Sequence, residues 1–167
     1  MPVIRPGNKG IDFHKDIDGS EYYTYIISRL ANYRNGKSMD DFLLILKALS
    51  DKNRLRTFCA LLSYEELCAC QITELLQVAG ATASRHLSLM VTAGILKNRK
   101  AGRWIYFRLN MENLLLDPVF KWVKLNLDKS RQVENDLKAL KKITVIPCED
   151  LCRKQRRGTP CNEKRKK

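Results

Sequence analysis

Between Glu66 and Leu109 the chain reads two short apolar-periodic segments, a break of small residues, and two alternating segments around a glycine. The first segment carries Ile72, Leu75 and Leu76, and the break runs from Val78 to Ala81. The second, expected as a helix over 82–93, sets Ala83, Leu87, Met90 and Val91 on one stripe at helical spacing. Gly94 closes it. Leu96–Arg99 and Trp104–Leu109 then flank Lys100-Ala-Gly102, a hairpin signal in which Trp104, Tyr106 and Arg108 alternate with Ile105, Phe107 and Leu109. Two helices across a tight turn, followed by a hairpin, define a mainly α fold with a β-hairpin wing, the winged helix-turn-helix.

The face opposite the apolar stripe carries Arg85, Ser88 and Thr92, with Thr82 and Ser84 near its start and His86 on the flank. Small polar residues around an arginine, on a helix packed along its other side, suit a DNA major groove. Arg99, Lys100 and Arg103 at the hairpin tip suit phosphate or minor-groove contact. The candidate DNA-contacting residues are therefore Thr82, Ser84, Arg85, His86, Ser88, Arg99, Lys100 and Arg103, and the expected partner is double-stranded operator DNA.

Charge agrees with such a partner. The net charge is +13; residues 153–167 hold eight Lys/Arg against one Glu and supply +7 of it, leaving +6 for the rest. Basicity favours a polyanion, although a basic tail alone is commonly a solvated end. With 167 residues the chain has room for one domain with a core and some extra segments. No apolar run approaches the ~20 residues needed to cross a bilayer, and Met1–Gly10 has no apolar segment of the secretory kind. No membrane partner is expected, and the expected compartment is the cytoplasm, where thiols stay reduced.

Three regions follow. Residues 1–37 read as a flexible arm and an extra helix with Tyr23, Ile26, Ile27, Leu30 and Tyr33 on one face. Residues 38–142 hold the winged domain and a terminal helix. There Ser38 caps a helix with Phe42, Ile45, Leu46 and Leu49 on its stripe, and a further helix carries Leu55, Phe58, Cys59 and Leu62. Asp117-Pro118 starts the last helix, whose face is Val119, Phe120, Val123 and Leu127, widened by Trp122 and continued after a register break by Val133, Leu137 and Leu140. That helix serves equally as a homodimer element or as packing on its own domain. Ile143–Pro147 reads as short and β-like, and 143–167 as a basic, cysteine-containing, disordered tail.

Six cysteines are present: Cys59, Cys68, Cys70, Cys148, Cys152 and Cys161. In a reducing compartment they favour metal binding, redox chemistry or packing over a disulfide framework. Cys59 lies on an apolar face and reads as a buried structural thiol.

The central stretch resembles the ArsR/SmtB family of metal-responsive winged-helix repressors. The residues that carry the resemblance are Ala48-Leu-Ser-Asp51 with Arg54-Leu55, Glu66-Leu-Cys-Ala-Cys70, Ser84-Arg-His-Leu87, Ala93-Gly-Ile-Leu96 and Gly102-Arg-Trp-Ile-Tyr-Phe-Arg-Leu109. They cover roughly residues 39–127, about half the chain. The resemblance implies a homodimeric repressor that leaves its operator when metal binds. Glu-Leu-Cys-x-Cys is the inducer motif of the arsenic, antimony and cadmium/lead sensors, and it falls on Cys68 and Cys70. Arsenite or antimonite is the implied inducer, with no organic cofactor. Two departures matter. Thr73 stands where arsenic sensors often carry a third cysteine, and residues 1–37 hold no cysteine such as the cadmium/lead type supplies. A third thiolate is left to Cys59, Cys148, Cys152, Cys161 or an outside thiol. The last helix has no histidine, which rules out the family's zinc site there.

Thiolates select soft ions. On an ideal helix residues i and i+2 point about 200° apart, whereas in extended backbone they share a side, roughly 7 Å apart at Cα. Chelation by Cys68 and Cys70 is thus expected to unwind or block the first turn of the helix that supports the reading helix. Two alternatives compete: a thiol redox sensor on the same fold, and a thiol reductase. Against an enzyme, no Lys, Arg or His lies near the pair in sequence to activate a nucleophilic cysteine.

Overall fold

The computed structural model describes residues 38–113, 116–127 and 129–158, without the side chains of 156–158. The expected helix within 1–37 and the thiol of Cys161 lie outside the described residues.

Helix α1 (Met39–Leu49) starts at a capping box: the Ser38 hydroxyl accepts from the Asp41 amide at 3.3 Å, and the Ser38 amide donates to Asp41 Oδ2 at 3.0 Å. Helix α2 (Lys52–Ser63) is capped by Asp51, whose carboxylate accepts from the Arg54 amide at 3.0 Å. The two-residue strand β1 (Leu67–Cys68) leads directly into α3 (Ala69–Leu76). A turn with Gln77 in left-handed backbone (φ 55°) joins it to α4 (Gly80–Thr92). Strands β2 (Leu96–Ala101) and β3 (Trp104–Leu109) form the wing, and β1 pairs antiparallel with β3 to give the order β1-β3-β2.

The exit from α4 is a Schellman turn. Ile95 N donates to Met90 O at 3.0 Å, Gly94 N donates to Val91 O at 2.9 Å, and Gly94 takes φ 71°. A side-chain-bearing residue is strained there, so Gly94 is what lets the chain leave the reading helix and enter the wing. At the wing tip the loop is Gly102-Arg103, with Gly102 at φ 59°. β2 is therefore longer than Leu96–Arg99, and Lys100 and Ala101 belong to it.

The core lies between these elements. Phe58, Ile72, Leu87, Met90, Ile95, Leu116 and Leu140 are all fully buried. The register break foreseen in the terminal helix is a true interruption, giving α5 (Asp117–Leu127) and α6 (Arg131–Ile143). α6 packs on α2 and α3. There Arg56 forms two bonds to the buried Asp136, at 2.8 and 2.9 Å, and donates to Leu75 O at 2.9 Å. Gln132 supplies a further donor to Asp136 at 3.0 Å. A buried carboxylate is tolerated because it is so fully bonded.

Two expectations are corrected. Ile143 closes α6 and Thr144 caps it, so 143–147 is a connection and not a strand. The segment after it, expected to be disordered, forms α7 (Cys148–Gly158). Pro147 O accepts from the amides of Asp150 and Leu151 to start this helix, and Glu149 and Asp150 stand favourably in its first turn. The spacing i, i+3, i+4, i+7 sets Cys148, Leu151, Cys152 and Gln155 on one face. Leu151 is buried and α7 packs on α3. Charge in this segment masked a stripe of two cysteines, one leucine and one glutamine.

On α1, only Ile45 and Ala48 of the apolar face are buried; Phe42 is 53% and Leu46 47% exposed. On α5, Trp122 is 66% and Leu125 73% exposed. Both helices thus present apolar surface that the described residues do not cover. Among the described residues no helix is long and apolar enough to cross a membrane.

Candidate DNA interface and thiol site

α4 lies across α3 with Ala83, Leu87 and Met90 buried beneath it. Its outer side presents Thr82, Ser84, Arg85, Ser88 and Thr92 to solvent. His86 is placed differently. It is half-buried, with Nδ1 3.3 Å from Arg54 Nη1 and 3.8 Å from Asp51 Oδ1. Arg54 also donates to the carbonyls of Ala48, at 2.6 Å, and Lys47, at 2.7 Å, at the end of α1. Burial opposes ionisation of Asp51, but the Arg54 amide, the Arg54 charge and His86 outweigh it, and its carboxyl lies below the usual range.

The three wing cations are exposed, and two have acidic partners. Arg99 Nε donates to Glu66 Oε2 at 2.8 Å, while the Arg99 guanidinium lies 4.7 Å over the Tyr106 ring. Arg103 pairs with Glu149 of α7 at 2.8 Å and lies over Trp104. Lys100 is exposed on β2.

The cysteine pair sits where β1 becomes α3. Cys68 is the N-cap residue, in extended backbone (φ −77°, ψ 156°), and its amide donates to Gln71 Oε1 at 2.8 Å. Cys70 is not ahead of the helix, as expected from sequence, but within its first turn. Each sulfur meets a different thiol of α7. The Cys148 thiol donates to the Cys68 sulfur at 2.9 Å, and Cys70 and Cys152 are joined in a disulfide with Cα atoms 5.9 Å apart. Cys68 and Cys70 are buried, and Cys148 and Cys152 are half-buried. Burial, and then the bond with Cys148, push the Cys68 thiol up to about 12. Tyr106, opposite Cys68 in the β1–β3 register, has its hydroxyl pushed up by burial and then by Cys148. The thiols thus lie at the root of the wing. Around them Gln155 donates to Cys70 O at 2.9 Å, and Lys154 pairs with Glu74 at 2.6 Å.

Cys59 stands apart. It is buried on α2, and its thiol is pushed up to about 11 by burial and then by the charge of Asp136. With two sulfurs held in a disulfide, no ready cluster of three metal-binding side chains exists among the described residues; reduction frees two thiols beside the already free Cys68 and Cys148. Sequence reasoning missed the partners Glu66, Tyr106 and Glu149. The match of Cys68-x-Cys70 to the one-turn spacing Cys148-x3-Cys152 was the available signal for the thiols.

This assembly, a helix with an exposed Arg and small-polar face set over a supporting helix and flanked by a basic hairpin, is a winged helix-turn-helix. Residues 51–98 match the model of the family described as bacterial regulatory protein, arsR family. By that description the family is one of regulators. The chain is 38% identical over 69 residues to the arsenic resistance transcriptional regulator ArsR1 of Pseudomonas putida, covering 41% of this chain and 54% of that protein. It is 38% identical over 74 residues to the CadC homolog of Staphylococcus aureus, a cadmium resistance transcriptional regulatory protein, covering 44% and 61%. The arsenical resistance operon repressor of Escherichia coli is 36% identical over 66 residues, covering 40% and 56%. The chain thus spans between 54% and 61% of the length of these three relatives. Among solved structures, reduced HlyU from Vibrio cholerae aligns at a TM-score of 0.47 and 22% identity, covering 55% of this chain and 90% of that one.

Proposed function

We propose that the chain is a homodimeric transcriptional repressor that leaves operator DNA when arsenite or antimonite is captured by cysteine thiolates, Cys68 and Cys70 among them. One observation carries the reading: both thiols occupy the start of α3, the helix on which the reading helix α4 rests. An ion that repositions that start biases α4, and a coupling of about 1–3 kcal/mol lowers DNA affinity roughly 5- to 150-fold. The names of the relatives, regulators of arsenic and cadmium resistance, support a soft-ion inducer. Thr82, Ser84, Arg85 and Ser88 would read the groove while Lys100, Arg99 and Arg103 hold phosphate. A single 13-residue helix reads few base pairs, so two copies on half-sites about one helical turn apart are required. The exposed Phe42, Leu46, Trp122 and Leu125 supply apolar surface for that pairing. Such thiol chemistry belongs to a reducing compartment, the cytoplasm.

The test is anisotropy of labelled operator titrated with arsenite. Cys68→Ser and Cys70→Ser should each bind operator nearly as wild type does and fail to release it. Release that persists in both variants ends this reading. A second reading has one observation in its favour, the Cys70–Cys152 disulfide: oxidation of thiols, not ion capture, would then be the signal. Release by peroxide but not by arsenite selects it.

A further inference from the structure

The four clustered cysteines come from two stretches of chain and meet in two pairs, Cys68 with Cys148 and Cys70 with Cys152. We propose that these four thiols form one intrachain, all-sulfur site for a thiophilic ion, in which α7 supplies the ligands that Thr73 and residues 1–37 do not, and that filling it clamps α7 against the root of the wing. The inference rests on the repressor reading above and names the ligand set of that site.

Geometry carries it. An ion bonded to sulfur at about 2.3 Å holds its sulfurs within roughly 4 Å of one another. Cys68 and Cys148 already meet that condition, and Cys70 and Cys152 are covalently joined. Cys148 and Cys152 are four residues apart on a helix, so they stack on one face about 5–6 Å apart at Cβ. That spacing lets one turn of α7 span both residues of the pair on α3. Each α3 sulfur therefore finds its partner on α7, and the ion is captured between two elements without unwinding α3. Leu151, fully buried between the two α7 cysteines, holds that face down. Gln155 on the carbonyl of Cys70 and Lys154 on Glu74 fix the helix from its far end. Cys59 contributes nothing to this set, since it faces Asp136 on α6.

The chemistry balances. A dithiol reductant opens the disulfide, yielding two protein thiols and its own cyclic disulfide. Arsenous acid then condenses with three thiols, forming three As–S bonds and releasing three waters. A soft divalent ion instead takes four thiolates and releases four protons. The trigonal ion leaves one sulfur spare; the divalent ion uses all four. In both cases α7, which carries Glu149 against Arg103 and Cys148 against Tyr106, becomes fixed on the wing strand.

The experiment uses the full chain, reduced under anaerobic conditions. Arsenic-edge X-ray absorption should count three sulfurs in wild type and fewer in Cys148→Ser/Cys152→Ser. That double variant should need at least the ~10-fold higher arsenite for half-release that loss of even an outer-shell partner costs a metal site. In wild type, cadmium should protect both α7 thiols from alkylation, and arsenite at least one. That protection readout does not depend on whether the double variant folds. If both α7 thiols are alkylated at the ion-free rate with either ion, the four-thiol site is overturned. If the double variant releases DNA as wild type does while Cys68→Ser does not release it, the four-thiol site fails and the repressor reading survives. Release unchanged in both Cys68→Ser and Cys70→Ser removes the repressor reading itself.

Discussion

Arg54 Nη1 stands 3.3 Å from His86 Nδ1, joining α2 to the flank of the reading helix. The same guanidinium holds two carbonyls at the end of α1, a favourable place for a cation. His86 is thereby drawn inward, in competition with any DNA contact. Arg54→Ala should lower stability by about 1–3 kcal/mol, the cost of unmade part-buried bonds. His86→Ala should lower the melting temperature while leaving the ratio of operator to random-DNA affinity close to wild type. A collapse of that ratio in His86→Ala would show that the ring reads bases.

Asp51 makes part of this joint dependent on pH. Its folded carboxyl lies below the ordinary 3.8. A lowered carboxylate contributes fully above its ordinary value and loses that contribution as pH falls through the lowered one. Asp51→Asn keeps a capping oxygen but cannot titrate. Wild type should therefore be the more stable at pH 7 and lose that advantage as pH falls from the ordinary 3.8 through the lowered value, read by thermal melts across pH.

Arg85 and Lys100 should fail differently on substitution. Arg85→Ala should weaken operator binding more than random-DNA binding, with about 1–3 kcal/mol of discrimination lost. Lys100→Ala should weaken both alike and flatten the salt slope by about one unit. Equal losses in the two variants would misplace the reading face on α4.

Glu149 neutralises Arg103 at the wing tip. Both groups are largely exposed, so the bond itself contributes little to stability. Its effect is on DNA: Glu149→Gln should strengthen non-specific binding and steepen the salt slope by about one unit as Arg103 is freed for phosphate. Anisotropy against random duplex at two ionic strengths measures this, and an unchanged slope would mean that Arg103 meets no phosphate.

Cys59 should behave as a core residue. With its thiol buried and pushed up to about 11, it should alkylate more slowly in reduced protein than the half-buried Cys148. Cys59→Ser buries a hydroxyl and should cost about 1–3 kcal/mol, while release by arsenite stays as in wild type. Loss of release in a folded Cys59→Ser would return that thiol to the candidate ligands.

Much of this was legible because it is local. The stripe Ala83, Leu87 and Met90, the stop at Gly94 and the alternation from Trp104 to Leu109 each follow from periodicity and backbone chemistry within a dozen residues. The caps at Ser38 and Asp51 were legible for the same reason. What sequence could not deliver is separated along the chain. Cys148 lies 80 residues from Cys68, and its proximity depends on α6 turning back over α2 and α3 through Arg56 and Asp136. The tail looked disordered because charge crowds Glu149–Arg157, and a stripe of two cysteines, one leucine and one glutamine is a weak apolar signal. The stripes of α1 and α5 were read correctly as apolar, but periodicity does not say whether such a face meets its own chain or another. Among the described residues Phe42 and Trp122 stay largely exposed.

Helix α7 contributes half of the clustered sulfurs and none of the exposed face of α4. In the proposed reading, address and stimulus are thus written largely on separate pieces of the protein. Exchanging the side chains of one short helix could retune which ion is answered while the operator stays the same. Substitutions along α4 could redirect the protein to a new promoter without altering what it detects. A chain divided in this way can diversify along either axis, with the Glu149–Arg103 pair linking the two.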